Sequence, residues 1–163
     1  MPIEVGQEAP DFTLKDAANE DVALSSFRGR KNVVLVFYPL AFSSVCTRQL
    51  TEIGGHEARY ADEDAQVVGV SVDSRYVQGR FAQELGLRDT ILLADFEPKG
   101  AVSRAYGVYL GGPGFSGRAT FVIDKAGIVR GVALTDAPSE MPDEEGYFRA
   151  LAACNAEAEP PAS

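Results

Sequence analysis

Between Val33 and Tyr38 the chain carries an unbroken run of β-branched, aliphatic and aromatic residues that ends at Pro39. No polar position interrupts the run, so it reads as a strand buried on both faces, inside a sheet that is covered on both sides. Pro39 has no N–H to give to a ladder and marks the strand's end. A short loop, Leu40-Ala41-Phe42-Ser43, follows, and either Ser43 or Ser44 can cap a new helix. Cys46 then falls in the first turn of that helix. Unpaired amides and the positive end of the helix dipole favour a thiolate there, so this strand-loop-helix junction reads as a chemical site.

The rest of the chain supplies the frame for such a junction. At 163 residues it is long enough for one complete core, and a single domain over residues 1–163 is expected. A net charge of −9 argues against nucleic acid and anionic membrane surfaces as partners. No apolar run approaches a membrane span, and Met1 to Val5 lacks the basic and apolar regions of a signal peptide. Two cysteines far apart do not make a disulfide framework. The cytoplasm is therefore the expected compartment, with both cysteines resting as thiols.

Asp11–Leu14 and Val22–Leu24 flank a polar turn and predict a hairpin, with residues 2–10 as a surface arm. One helix is expected from Ser44 to Asp62, kinked at Gly54-Gly55, with Cys46, Leu50, Ile53 and Tyr60 on its buried stripe. A second buried strand is expected over Gln66–Val72. A helix over Ser74–Leu85 follows, capped by Asp73 or Ser74 and stopped by Gly86. Ile91–Ala94 reads as a short strand and Lys99–Tyr106 as a short helix after Pro98. Thr120–Ile123 and Ile128–Ala133 flank a four-residue turn and predict a second hairpin. Pro142 opens a last helix, whose acidic first turn (Asp143, Glu144, Glu145) suits the dipole. Residues 155–163 are small, acidic and proline-bearing, and read as a frayed, disordered tail. Strands alternating with helices and closing on a hairpin and a helix make a mixed α/β sheet flanked by helices.

The junction resembles the active-site segment of the peroxiredoxins, whose Pro-x-x-x-Thr/Ser-x-x-Cys signature is matched by Pro39, Ser43 and Cys46. Within that family the text looks most like the one-cysteine alkyl hydroperoxide reductase E and bacterioferritin-comigratory branches. Ala9-Pro10-Asp11-Phe12 and Leu24-Ser25-Ser26-Phe27-Arg28-Gly29 resemble the family's usual lead-in. Arg118-Ala119-Thr120-Phe121-Val122-Ile123-Asp124 resembles the segment that brings an arginine against the reactive sulfur. The resemblance covers about Pro10 to Leu151 and implies a thioredoxin-like fold with an N-terminal β-hairpin extension.

It implies a thiol peroxidase in which thiolate Cys46 attacks hydrogen peroxide, an organic hydroperoxide or peroxynitrite. Arg118 would stabilise the thiolate and the charge developing on the peroxide, although an arginine at a strand start can equally be ion-paired on the surface. Ser43 would cap the helix by bonding the Cys46 N–H and also hold the peroxide. Pro39 would shield the sulfur. Gln49 stands where many relatives carry Glu. Leu40, Phe42, Tyr109 and Phe115 are possible apolar walls for a bulky peroxide or a dimer partner. Cys154 has two readings, a resolving cysteine or core packing on a stripe with Tyr147, Leu151 and Ala158. His56 lies roughly 15 Å along the helix from Cys46, too far for a Cys–His pair. With no close Cys, His and carboxylate cluster, no metal is expected.

Gly112 to Gly117 fits a dinucleotide fingerprint in letters alone, because it precedes a strand, and is expected to be a mobile loop. The resemblance further implies no resident cofactor and a low-molecular-weight thiol or a thioredoxin- or glutaredoxin-like reductant. A homodimer is the implied assembly. Two other functions remain open at this point. A monothiol thioredoxin-like disulfide oxidoreductase is disfavoured, since Ser43 replaces the first cysteine of a Cys-x-x-Cys and no proline precedes Thr120. A non-catalytic chaperone or binding module would retain its activity in a Cys46→Ser variant.

Overall fold

The computed structural model describes residues 1–137 and 139–158. Its frame is a seven-stranded mixed sheet. In chain order the strands are β1 (Thr13–Lys15), β2 (Asp21–Ala23), β3 (Asn32–Phe37), β4 (Ala65–Ser71), β5 (Ile91–Ala94), β8 (Ala119–Ile123) and β9 (Val129–Leu134), arranged β2-β1-β5-β4-β3-β8-β9. β6 (Tyr109–Leu110) and β7 (Phe115–Ser116) form a separate small hairpin. The apolar run is the centre of the sheet. β3 pairs parallel with β4 and antiparallel with β8, and all six of its residues are buried. Alternate residues feed two cores. Val34 and Val36 face Leu50, Ile53, Phe81 and Leu151, while Val33, Leu35 and Phe37 face Leu24, Val102, Tyr106 and Phe121. This is the thioredoxin-like architecture expected, with the N-terminal hairpin β1–β2 joined to the sheet through the Lys15–Ala94 pairing.

Local chemistry corrects several element boundaries. The long helix is broken, not kinked, into α1 (Ser44–Gly54) and α2 (Glu57–Asp62). The Gly55 N–H is shared between Thr51 and Glu52 carbonyls and the His56 N–H reaches back only to Ile53, so the last turn tightens and ends. The break turns Glu57 onto the loop before β5. There its carboxylate accepts the N–H groups of Arg88, Asp89 and Thr90 and the Thr90 hydroxyl. Helix α3 (Arg75–Leu85) is capped by the Ser74 hydroxyl, and Gly86 closes it in the left-handed conformation at φ 67°. Helix α4 is shorter than expected, Ala101–Ala105, because Asp95 accepts the N–H groups of Val102 and Ser103. The expected arm is fastened: Gly6 donates to Val129 and Ala9 to Gly127, and Ala9 is buried.

Helix α5 spans Glu144–Ala158 and starts after Pro142, with the Asp143 carboxylate accepting the Glu145 N–H. The first part of the expected tail is thus helical. Asn155 is tied down, accepting from the Asn32 amide and donating to the Glu63 carbonyl. Residues 159–163 lie outside the described residues. Instead of an open mobile loop, 109–116 closes into the β6–β7 hairpin, with Gly114 at φ 81° and its N–H on the Leu110 carbonyl.

Candidate active site

The site forms where β3 runs out. Tyr38 still donates its N–H to Val70, and Pro39, buried and without an N–H, ends the ladder. The loop that follows is anchored from β4. Asp73 accepts the Ala41 N–H at 2.8 Å and is itself held by the Ser71 hydroxyl at 2.6 Å. Ser71 also accepts from the Gln78 amide, whose oxygen takes the Tyr38 hydroxyl at 2.5 Å. Burial raises the pKa of the Tyr38 phenol far above its ordinary range, so it stays neutral. Between the two capping candidates for α3, the labour is therefore divided: Ser74 caps, and Asp73 serves the loop. Phe42 then turns the chain into α1 with a left-handed φ of 67°, and its ring packs on Phe81 at 4.9 Å between centroids.

Ser43 occupies the N-cap position, and Thr47 donates to its carbonyl. Its hydroxyl does not cap the helix. It donates back to the Leu40 carbonyl at 2.7 Å, so the expected bond to the Cys46 N–H is absent. The reason is local: the left-handed residue at position 42 folds the Leu40 carbonyl under the serine. Cys46 is the third helical residue and is fully buried.

Arg118 arrives from across the sheet. The antiparallel register sets Phe37 opposite Ala119, which places Arg118 at the end of β3 where the loop begins. Its Nη2–H donates to Cys46 Sγ at 3.2 Å and its Nη1–H to Gln49 Oε1 at 2.6 Å. Arg118 and Gln49 are both buried. The expectation that Arg118 is the second element of the site thus has its geometry, and the surface ion-pair reading does not. Gln49, one helical turn after the sulfur, is the residue that receives the other arm of the guanidinium. Two residues beyond Arg118 on the same face, the Thr120 hydroxyl is 2.8 Å from the Tyr147 hydroxyl of α5. Burial pushes the Tyr147 phenol up to about 12, against the pull of the Thr120 and Gln49 side chains.

The four possible apolar walls lie on two segments, the loop after β3 and the β6–β7 hairpin. Phe42 is 50% exposed and Leu40 38% exposed at the rim of the loop. Phe115 pairs with Leu110 in its hairpin, and the Tyr109 ring lies under the Arg104 guanidinium at 3.8 Å. Cys154 is buried, and that burial raises its thiol to about 11, with Asp124 and Arg130 as charged neighbours. Asp124 closes β8 at the end opposite Arg118, roughly 20 Å away at about 3.3 Å per residue. Cys154 shares one buried core cluster with Tyr147 and Leu151 of the same helix and with Cys46, so core packing accounts for its burial. His56 is exposed and pairs with Glu144 at 3.0 Å. Among the described residues no group of His, Cys, Asp and Glu is placed to hold a metal, and no helix is long and apolar enough to cross a membrane.

Residues 5–132 match the AhpC/TSA family. The chain is a peroxiredoxin. This peroxiredoxin is 40% identical to alkyl hydroperoxide reductase E of Mycobacterium tuberculosis over 154 residues, covering 94% of this chain and 99% of that protein. It is 35% identical to mouse peroxiredoxin-2 over 144 residues, 83% of this chain and 71% of that one. Among solved structures it is similar to the peroxidoxin BcpB of M. tuberculosis, with a TM-score of 0.81, 31% identity, and coverage of 96% and 99% of the two chains. A reduced 2-Cys peroxiredoxin of Plasmodium vivax gives a TM-score of 0.82 at 28% identity, over 96% and 84%. The peroxiredoxin reading of Pro39, Ser43 and Cys46 therefore agrees with the relationship of the whole chain.

The residues missed by sequence reasoning are Ser71, Gln78, Thr120 and Tyr147. Each lies in an element whose apolar pattern explains it, and nothing in the local text says that its polar atom faces a neighbour of Cys46.

Proposed function

We propose that this thiol-dependent peroxidase uses Cys46 as its nucleophile in a one-cysteine cycle. The Cys46 thiolate attacks the terminal oxygen of a hydroperoxide, an S–O bond forms as the O–O bond breaks, and the electron pair leaves with the second oxygen. That oxygen takes a proton and departs as water or alcohol; from peroxynitrous acid the pair leaves with nitrite, which needs no proton. Cys46 is left as a sulfenic acid. A small thiol, or a thioredoxin- or glutaredoxin-like protein, condenses with it and releases water. A second thiol then cleaves the mixed disulfide and regenerates Cys46. The electrons come from that external thiol, so the cycle needs no prosthetic group. We place it in the cytoplasm, and a homodimer through the exposed Leu40 and Phe42 rim belongs to the same reading.

The observation that carries the proposal is the Arg118 fork, one arm on Sγ and the other on Gln49. A guanidinium fixed against sulfur in a buried site stabilises negative charge on the sulfur and on the peroxide oxygens alike. Ser43, exposed at the rim, and Pro39, buried over the junction, shape the approach. The deciding experiment is intact mass under non-reducing conditions after one equivalent of hydrogen peroxide. One added oxygen, absent from Cys46→Ser, is expected. Loss of two hydrogens within a monomer would instead make Cys154 the resolver, and no change within seconds would overturn the nucleophile assignment.

A further inference from the structure

The C-terminal helix reaches the back of the active site, and it is locked in place where it does so. In the first turn of α5 the Glu144 carboxylate sits between the Tyr60 hydroxyl, at 2.6 Å, and His56 Nδ1, at 3.0 Å. The Glu145 carboxylate takes both arms of Arg59, at 2.6 and 2.8 Å, and that guanidinium lies 3.7 Å over the Phe148 ring. Between these anchors Tyr147 points inward, 2% exposed, with its hydroxyl on Thr120.

Gln49 supplies the second observation. Its Oε1 is taken by Arg118, while its Nε2 is buried and has no hydrogen-bond partner among the described residues. Tyr147 stands on the same side: its hydroxyl meets Thr120, two residues beyond Arg118 on one face of β8, and its ring shares a buried cluster with Cys46 and Leu50 of α1. The two ends of a primary amide are nearly equal in shape and opposite in hydrogen-bonding character. With Oε1 toward Arg118 the guanidinium has an acceptor; with the amide turned over, donor would face donor. An acceptor at the far end selects the first arrangement. The phenol can accept there and still share its proton with Thr120, whichever of the two hydroxyls donates.

We propose that Tyr147 is a positioning residue of the peroxidase: its oxygen is the acceptor for Gln49 Nε2, and by orienting that amide it holds Arg118 Nη2 on Cys46 Sγ. The proposal rests on the nucleophile assignment above. Among the described residues, the charged and titratable groups on this side of the core include Arg118 from β8, Tyr38 at the end of β3 with Asp73 beyond it, and Tyr147 from α5, whose own neighbour is Glu144 one turn before it.

The test uses the full chain in a Cys154→Ala background, so that alkylation reports on Cys46 alone. Tyr147→Phe keeps the ring and removes the acceptor. We expect the pH profile for iodoacetamide alkylation of Cys46 to move up by about one unit and the peroxide rate constant at pH 7 to fall about tenfold. In an Arg118→Ala background the same change is expected to add little, because Tyr147 acts through Arg118. An unmoved profile, or a loss that persists undiminished without Arg118, would overturn the assignment. Should Tyr147→Phe fail to fold, Thr120→Val decides: a smaller shift in the same direction supports the proposal, and no shift refutes it. Alkylation is read without peroxide, so a protein lacking Cys46-dependent peroxidase activity would refute the nucleophile assignment separately.

Discussion

Ser43 and Ser74 both stand at the N-cap of a helix that follows a strand, and their hydroxyls do different things. Ser74 accepts the Val77 N–H, whereas Ser43 donates to Leu40. Ser74→Ala is therefore expected to cost about 1 kcal/mol in urea unfolding. Ser43→Ala should stay within about 0.5 kcal/mol of wild type. Equal losses would mean that Ser43 caps α1 in solution. The Arg118 fork makes a second expectation. A lysine is a point charge and cannot donate to Gln49 and Cys46 in the same fixed geometry. Arg118→Lys should lower the peroxide rate constant by about a hundredfold, the scale for removing one aligned donor from a charge-stabilising site. Stopped-flow peroxide consumption measures it, and a loss below about threefold would show that charge alone suffices.

At the scale of elements, the loop from Pro39 to Ser43 is positioned by a strand and a helix it does not belong to. The anchor is the chain Tyr38–Gln78–Ser71–Asp73 ending on the Ala41 N–H, and the Phe42 ring on Phe81 adds a second hold. A non-glycine residue in the left-handed region costs roughly 1–2 kcal/mol, and these contacts offset it. Asp73→Ala leaves the Ala41 N–H without its acceptor and frees the Ser71 hydroxyl. The expected result is a loss of about 1–3 kcal/mol in stability and faster proteolytic nicking between residues 39 and 43. Nicking at the wild-type rate would show that the Phe42 packing alone holds the loop.

For the whole molecule, the buried ionisable groups set the pH range of stability. Burial of Glu57 opposes ionisation, but the Thr90 hydroxyl and the Arg88, Asp89 and Thr90 amides outweigh it and hold its carboxyl below the ordinary range. Its contribution is present above the unfolded carboxylate range and is lost as pH falls through the lower folded value. Asp95, raised by burial, acts in the opposite sense and gains as pH falls. On the alkaline side every resolved shift has one sign. Burial raises Cys154 from 9.0 to about 11 and raises Tyr38, Tyr60, Tyr106 and Tyr147 above 10.0. The unfolded chain then releases these protons first, so stability falls as pH rises past 9. Urea midpoints across pH should show that decline beginning near pH 9. Cys154→Ala should move its onset toward the tyrosine range near 10, and an onset unchanged by the substitution would remove Cys154 from the account.

Much of this was legible before any coordinates. An unbroken apolar run ending at proline, then a capped helix with cysteine in its first turn, states a buried strand, a loop and a sulfur site, because hydrophobicity, ring constraint and helix ends act over a few residues. Arg118 was legible only through the resemblance of its surrounding phrase. What tertiary structure alone decided is where polar atoms point. The register of β8 on β3 carries Arg118 to Cys46, a left-handed Phe42 takes the Ser43 hydroxyl from its helix, and Glu57 fastens α2 where a kinked helix was expected. The tail became helix through Asn155, and Cys154 was packed into the core with Asp124 and Arg130 as its charged neighbours. Apolar burial is a property of each residue and its period. Hydrogen-bond direction depends on neighbours distant in sequence, and only the assembled fold supplies them.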